Sequence, residues 1–371
     1  MPKSRFPIEW VEQHMPRTRR SLEALPDLAG VRLAMSMHLD IKTLPLVKGL
    51  ARKGAELYIT TCNPTTVRDD VVDGMRKAGA QVEAGEGMSD ADWQSAIAGG
   101  LEWGPTHFSE MGSDYTHYLI ANGLAFPEIK AGLEATGSGI NRLQGKLPPW
   151  PIFNWDDVPV KEGLHNRHMV GLTTWHAFYN ATLVSLHEKR VLVVGYGTVG
   201  QGLAASARAY GGTVMVAEVD PARLLQARYD GWQTGTVEEL APHADVIVTG
   251  TGAHHVLPGD VIAKLKDGCF ILNSGHKIDE IDLSAFGGCP SEEPVPFVTR
   301  YRLASGAHVH LFAGGAMANL TAGEGDSLNA FDLTLAILAE GIGHILGEGE
   351  RAENGVHLLP RSVWSRACPD A

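Results

Sequence analysis

Cysteine is scarce in this 371-residue chain: Cys62, Cys269, Cys289 and Cys368 show neither C-x-x-C spacing nor a pairing pattern. That excludes a disulfide scaffold and fits a reducing, cytoplasmic setting. Basic residues are outnumbered, 31 against 43 acidic, for a net charge of −12. Phosphate contacts need clustered Lys and Arg, so no nucleic-acid partner is expected. The short basic run PRTRR (16–20) reads as a solvated helix face. No apolar segment opens the sequence, and no run reaches the roughly 18 to 20 apolar residues that span a bilayer. Neither a secretory signal nor a membrane partner is expected. Metal-ligand spacing is absent too: His254-His255, His308-x-His310 and His165-x-x-His168 lack an H-E-x-x-H context or a cysteine partner, so no metal is expected.

What is present is a globular composition, 44% apolar and 20% charged, in a chain too long for one core. Two domains are expected. In the first half, apolar runs of strand length (31–37, 56–62, and a third in AQVEAG) alternate with helical patterns (39–55, 63–80 and 89–103). Such alternation predicts a parallel sheet covered on both faces, with ligands beyond the carboxyl ends of the strands. His38, Asp40, Thr61, Cys62 and Asn63 lie there, which suggests a substrate domain. The second half repeats the plan with strands at 213–220, 245–252 and 269–275, then a hairpin turning at Ser305-Gly306. A last helix carries the stripe Leu328, Phe331, Leu335, Leu338, Ile342 and Ile345, read as core or subunit packing.

VLVVGYGTVGQG (191–202) is a strand entering a glycine turn. Gly195, Gly197 and Gly200 make the G-x-G-x-x-G pattern, and Thr198 and Val199 open a small-residue helix. Gly195 allows the tight turn, Gly197 the backbone approach to a diphosphate, and Gly200 the contact of helix with strand. Glu218 ends the next strand, where a carboxylate bonds ribose hydroxyls and repels a 2′-phosphate. NAD is therefore the expected cofactor, with Arg223 close enough to blur the preference over NADP.

The chain resembles the S-adenosylhomocysteine hydrolase family. The resemblance rests on GYGTVGQG, AEVDPARLLQARYDGW, VTGTG and NSGHKIDEIDL in the cofactor half. SMHLDIKT, TTCNP, EATGSGINRL, PIFNWDDVPVK, GGAMAN and NGVHLLP carry it elsewhere. It implies two doubly wound parallel-sheet α/β domains: a Rossmann NAD domain (172–317) inserted in a discontinuous substrate domain (1–158, closed by 320–371). Hinges are implied near 161–171 and 315–322, with the active cleft between the domains. It also implies a homo-oligomer, dimer or tetramer, as does the long apolar stripe. The family's chemistry oxidises a ribose 3′-hydroxyl with NAD, which acidifies the 4′-hydrogen. The 5′-thiolate then leaves, water adds and the sugar is re-reduced.

Carried over residue by residue, the resemblance makes Lys161 a base beside the 3′-oxygen and His38 an acid/base near the 5′-position. His276 stands beside nicotinamide and sugar, and Asn166 supports lysine and cofactor. Thr136 and Ser138 are implied to reach NAD from the substrate domain, with Thr251, Ser274 and Gly275 near it in the cofactor domain. The departures are as informative. Met111 stands where the family has an aspartate. Ala135 replaces the second of two glutamates, of which Glu134 keeps the first. Asp40 and Lys42 replace the adenine-side Thr and Glu, Asn319 a hinge histidine, and Phe312 an asparagine. His165 replaces the aspartate four residues after the lysine, so a Lys161–His165 pair of mutually neutralising cations is expected. The family's C-terminal tail, which covers a neighbour's NAD, has no counterpart here, so looser NAD binding is implied.

The redox core is thus kept while the shell that reads the substrate changes. The expected function is NAD-dependent oxidation and elimination on an altered sugar or nucleoside thioether or ether, either with water addition or stopping at the alkene as a lyase. The alternatives are S-adenosylhomocysteine hydrolysis itself and a non-catalytic NAD-binding regulator.

Overall fold

The computed structural model describes residues 6–125, 128–276 and 278–368. The chain divides into two compact units, Met1–Lys161 with Leu328–Ala371, and Glu162–Ser327. Residues 320–327, expected to close the first domain, belong to the second. The reason is local: helix Ala318–Thr321 packs on helix Gly171–Thr182. Residues 162–171 join the second unit as well, because a wide, π-type helix, Lys161–Val170, runs straight into Gly171–Thr182.

The first unit holds β1 (Arg32–Met37), β2 (Glu56–Thr61), β3 (Gln81–Val82), β4 (His107–Glu110), β5 (Ala131–Glu134) and β6 (Pro151–Asn154). With a late strand, Gly355–Leu358, they form a seven-stranded parallel sheet. Its order is Gly355–Leu358, β6, β5, β4, β1, β2, β3. The order reverses between β1 and β4, so the loops after these two strands flank a switch point. Both faces are covered, which is why the strands are apolar without alternation. Leu33 and Met35 join a core with Leu46, Val47, Leu50, Leu335 and Ile342, while Ala34 faces Ile97, Leu101, Tyr115 and Leu119. The helix expected over 39–55 spans only Leu44–Arg52, and the one over 63–80 is a short 3-10 turn, Pro64–Thr66, then Asp69–Lys77. In both places the residues nearest the strand leave the helix and form the turns that carry His38–Lys42 and Asn63.

The second unit holds β7 (Arg190–Val194), β8 (Thr213–Ala217), β9 (Gln233–Gly235), β10 (Val246–Thr249), β11 (Cys269–Asn273), β12 (Ser291–Val295), β13 (Val298–Arg302) and β14 (His308–Phe312). Their order is β12, β13, β14, β11, β10, β7, β8, β9. Strands β7 to β11 and β14 are parallel. The hairpin of β13 and β14, with β12 beyond it, makes an antiparallel edge, so this sheet is mixed rather than purely parallel. A hairpin needs only a short loop, whereas another parallel strand would need a crossover.

Helix Leu328–Ile345 is long and apolar enough to cross a membrane, with a mean hydropathy of 1.2, a property that a search for uninterrupted apolar runs overlooks. It is a core helix: Leu335, Leu338, Ile342 and Ile345 are fully buried in the first unit. The stripe that suggested subunit packing is covered by the unit's own core. Asp332 on the same helix is also buried. Its carboxylate accepts the Thr18 N–H at 2.8 Å and the Arg17 N–H at 3.0 Å, the first donors of helix Pro16–Ala24. Those groups have no partner within their own helix. Asp332→Ala is expected to lower stability by about 2 kcal/mol, the upper end for loss of a cap, measured by urea unfolding.

Candidate active site

The carboxyl edge of the first sheet gathers the polar residues of that unit. His38 follows β1, half-buried, with Nδ1 2.9 Å from Thr66 Oγ1. The Thr66 hydroxyl donates its one proton to the Asn63 carbonyl at 2.9 Å, so it accepts from His38 Nδ1–H. A neutral ring then presents Nε2 as its basic nitrogen. Two residues on, Asp40 accepts the Lys42 N–H at 2.7 Å and the Lys42 ammonium at 3.0 Å. Both side chains are buried, which makes this a closed ion pair.

Glu110 and Glu134 end β4 and β5 and are register partners across the two strands. Both are buried. Glu134 accepts five hydrogen bonds at 2.7–2.9 Å: Gly112 N–H, both the N–H and hydroxyl of Ser113, and both those of Thr136. It thereby fastens the loop after β4, where Ser113 is held in the left-handed region at φ 55°, to the loop after β5. Gly139 makes the room, since a Cβ there would run into the Glu134 carboxyl. Glu110 accepts the N–H groups of Tyr115 and Thr116 and the Thr116 hydroxyl. Burial pushes the Glu110 carboxyl up to about 8, with the Glu134 charge adding to it, and burial pushes Glu134 up to about 7 against its own hydrogen bonds. Glu134, which accepts five hydrogen bonds to the three of Glu110, keeps its charge further, so near neutrality the proton of the pair rests on Glu110. Asp114 completes the cluster, accepting from Ser36 Oγ at 2.7 Å and Arg142 at 2.9 Å.

These carboxylates were not singled out from sequence, apart from Glu134. The signal available was a glutamate ending an apolar strand, HFSE and AGLE. Met111 is buried in the apolar core. Thr136 was expected to reach the cofactor, but its hydroxyl is occupied: it donates to Glu134, accepts Gly139 N–H at 2.9 Å as a helix cap, and meets Ser138 Oγ at 3.2 Å.

Lys161 is buried, with Nζ 2.5 Å from Asp156 Oδ1 and 5.8 Å from the Trp155 ring. Asp156 follows β6 in a turn that Asn154 holds by accepting the Asp156 N–H at 2.9 Å. Lys161 and His165, expected as a pair of cations, thus each have a carboxylate beside them. His165 Nδ1 lies 3.0 Å from Asp326 Oδ2, in the second unit. Lys161 and His165 both stand in the wide helix Lys161–Val170. Asn166 sits half-buried in the same wide helix.

In the second unit Gly195 has φ +94°, and a Cβ there would lie 2.7 Å from Thr251 Cγ2. A Cβ on Gly200 would run into the Gly195 carbonyl. Glu218 accepts the Tyr196 N–H at 2.6 Å, Val219 N–H at 2.7 Å and Asp220 N–H at 2.8 Å, which ties the glycine turn to the end of β8. Arg223 reaches Gly197: its Nη1 would be 3.4 Å from a Cβ there. Thr198 and Val199 begin the 12-residue helix Thr198–Ala209. The first N–H groups of this helix, beside a turn with glycine at 195, 197 and 200, suit a diphosphate, so the residues fit NAD. Gly171 and Gly202 let this helix touch the segment before it: a Cβ on Gly202 would run into the Arg167 carbonyl.

After β10 and β11 a further residue missed from sequence, Glu280, plays the part of Glu134. Fully buried, it accepts Thr251 N–H and hydroxyl, both at 2.9 Å, and Gly252 N–H at 2.6 Å. Burial raises its carboxyl above the ordinary range. Gly275 donates to Asn273 Oδ1 at 2.7 Å, and Ser274 Oγ meets Thr174 Oγ1 at 2.8 Å. His276 follows, half-buried. Asn319 is buried, and its Oδ1 has no hydrogen-bond partner among the described residues. Phe312 is wholly buried in edge contact with Phe178, so it serves the core.

Comparison with known proteins gives the same outline. Residues 4–136 match the profile of S-adenosyl-L-homocysteine hydrolase, and residues 173–325 that of its NAD binding domain. The S-inosyl-L-homocysteine hydrolase of Methanopyrus kandleri is 33% identical over 381 residues, covering 98% of this chain and 89% of that one. The adenosylhomocysteinase of Thermococcus kodakarensis is 32% identical over 373 residues (98% and 88%), and that of Thermotoga maritima 31% over 370 (97% and 91%).

Glu110 and Glu134 hold protons to higher pH when folded than their ordinary value of 4.5. Their contribution to stability is complete below that value and is lost as pH rises through about 7 to 8. Unfolding free energy is expected to fall over this window, and Glu110→Gln to flatten the fall, in denaturant titrations at several pH values. Gly200→Ala is expected to abolish NAD retention, read as nucleotide content after purification.

Proposed function

Since the chain belongs to the S-adenosyl-L-homocysteine hydrolase family and takes NAD, we propose that it oxidises a hydroxyl of a nucleoside-like thioether or ether and expels the substituent β to the new ketone. The substrate we propose differs from S-adenosylhomocysteine. The observation that carries this is the buried Asp40–Lys42 pair, at the two positions that the resemblance assigns to the adenine side. Parting a buried ion pair is costly, so an adenine that had to be read there would find its donor and acceptor already engaged with each other.

When bound, NAD supplies a reversible two-electron acceptor, so a secondary alcohol can become a ketone and return. The chain supplies the rest. Lys161 takes the proton from the substrate hydroxyl. The carbon next to the ketone is acidified because its carbanion is an enolate, which a neighbouring ammonium stabilises. His38, oriented by Thr66, accepts the proton of that carbon at the ring nitrogen opposite Nδ1 and delivers it to the departing group. A second reading, in which the reaction stops at the alkene, is favoured by Met111. Water addition needs a base, and a buried thioether stands where the resemblance places a carboxylate.

The test is thiol release and alkene formation from S-adenosylhomocysteine, S-inosylhomocysteine and related thioethers. Lys161→Ala is expected to lower turnover by about 10²- to 10⁴-fold, the usual worth of a general base. S-adenosylhomocysteine turned over as fast as every other thioether would sink the altered-substrate reading. Undiminished turnover by protein stripped of nucleotide would sink the redox logic.

A further inference from the structure

We infer that Asp156 is the positioning residue for Lys161, taking over a role that the resemblance assigns to position 165. The inference rests on the proposed reading of Lys161 as the base. Its observations are separate from that reading. The carboxylate of Asp156 meets Lys161 Nζ at 2.5 Å, with both side chains about nine-tenths buried. The turn that aims it is built for the purpose. Asn154 accepts the Asp156 N–H at 2.9 Å through its side-chain oxygen and donates from Nδ2 to Asp157 at 2.6 Å. Gly137 leaves space for the other Asp156 oxygen, which would lie 3.3 Å from a Cβ there.

Three other charged neighbours along the segment have partners of their own. Asp157 is held by Asn154, Glu162 accepts from Thr198 at 3.1 Å, and His165 is paired with Asp326. A histidine at 165 cannot neutralise an ammonium, so a carboxylate five residues before the lysine does so. The exchange also changes where the lysine is anchored. Asp156 and Lys161 belong to the same unit, whereas His165 and Asp326 both belong to the other. The base is therefore fastened to the sheet that carries His38, by a turn at the end of β6.

Asp156 acts through Lys161, so its removal should move kcat more than KM and should change the amine itself. The experiment uses NAD-loaded protein with Asp156→Asn, Asp156→Ala and Asp156→Glu. It reads kcat, KM and the rate at which Lys161 is acylated by an amine reagent at pH 8, followed by peptide mass spectrometry. An amine released from its carboxylate partner is more open to a reagent and is no longer aimed at the substrate hydroxyl. Asp156→Asn is therefore expected to acylate faster at Lys161 and to lose most of its kcat with KM little changed. Asp156→Glu is expected to restore much of both. Unchanged acylation and kcat in a folded Asp156→Asn protein, with Lys161→Ala inactive, would overturn this inference alone. Full turnover by Lys161→Ala would overturn the base itself, and with it this role for Asp156.

Discussion

Backbone N–H groups in the loops beyond parallel strands have lost the ladder that would pair them, and burying them unpaired is costly. Both units meet this constraint with a buried glutamate. Glu134 takes the donors of the loops after β4 and β5, and Glu280 those of the loop after β10. Glu218 does the same, less buried, for the glycine turn and the end of β8. The polar residues offered to a substrate or cofactor stand on loops held in this way. Without the carboxylates, a conformation such as the left-handed backbone of Ser113 would have nothing to sustain it.

How much of this could be read beforehand depends on the range of the physics involved. The glycine turn was legible because its requirements are local: a positive φ at Gly195 and no side chain at Gly200. The alternation of strands and helices, and the insertion of one unit in the other, followed from short-range pattern and motif order. The clamping glutamates did not, because their role depends on register. Glu110 and Glu134 face each other only once β4 and β5 pair. Lys161 and His165 misled for the same reason. Four residues apart in sequence, they suggested one another, while their partners lie on the turn after β6 and at position 326. The long apolar stripe was ambiguous between core and interface, and the first unit's core takes it up.

The ion pairs revise the electrostatic picture of the site. Replacement of carboxylates along the sequence suggested a pocket short of negative charge. The folded edge instead holds Asp40, Glu110, Asp114, Glu134 and Asp156, all buried and all hydrogen-bonded. Charge has been redistributed, with Asp40 and Asp156 each closed against a lysine. Glu110 and Glu134, whose carboxyls burial pushes up to about 8 and about 7, are groups through which solvent acidity acts on the scaffold.

The contact at Gly202 has a mechanical consequence. Helix Thr198–Ala209 begins at the cofactor cradle, and midway along its first turns it lies flush against the Arg167 carbonyl. No side chain intervenes there to act as a cushion. A small rotation of the cradle helix would therefore be passed backbone to backbone into the wide helix that bears Asn166 and His165, so the two behave as a single lever.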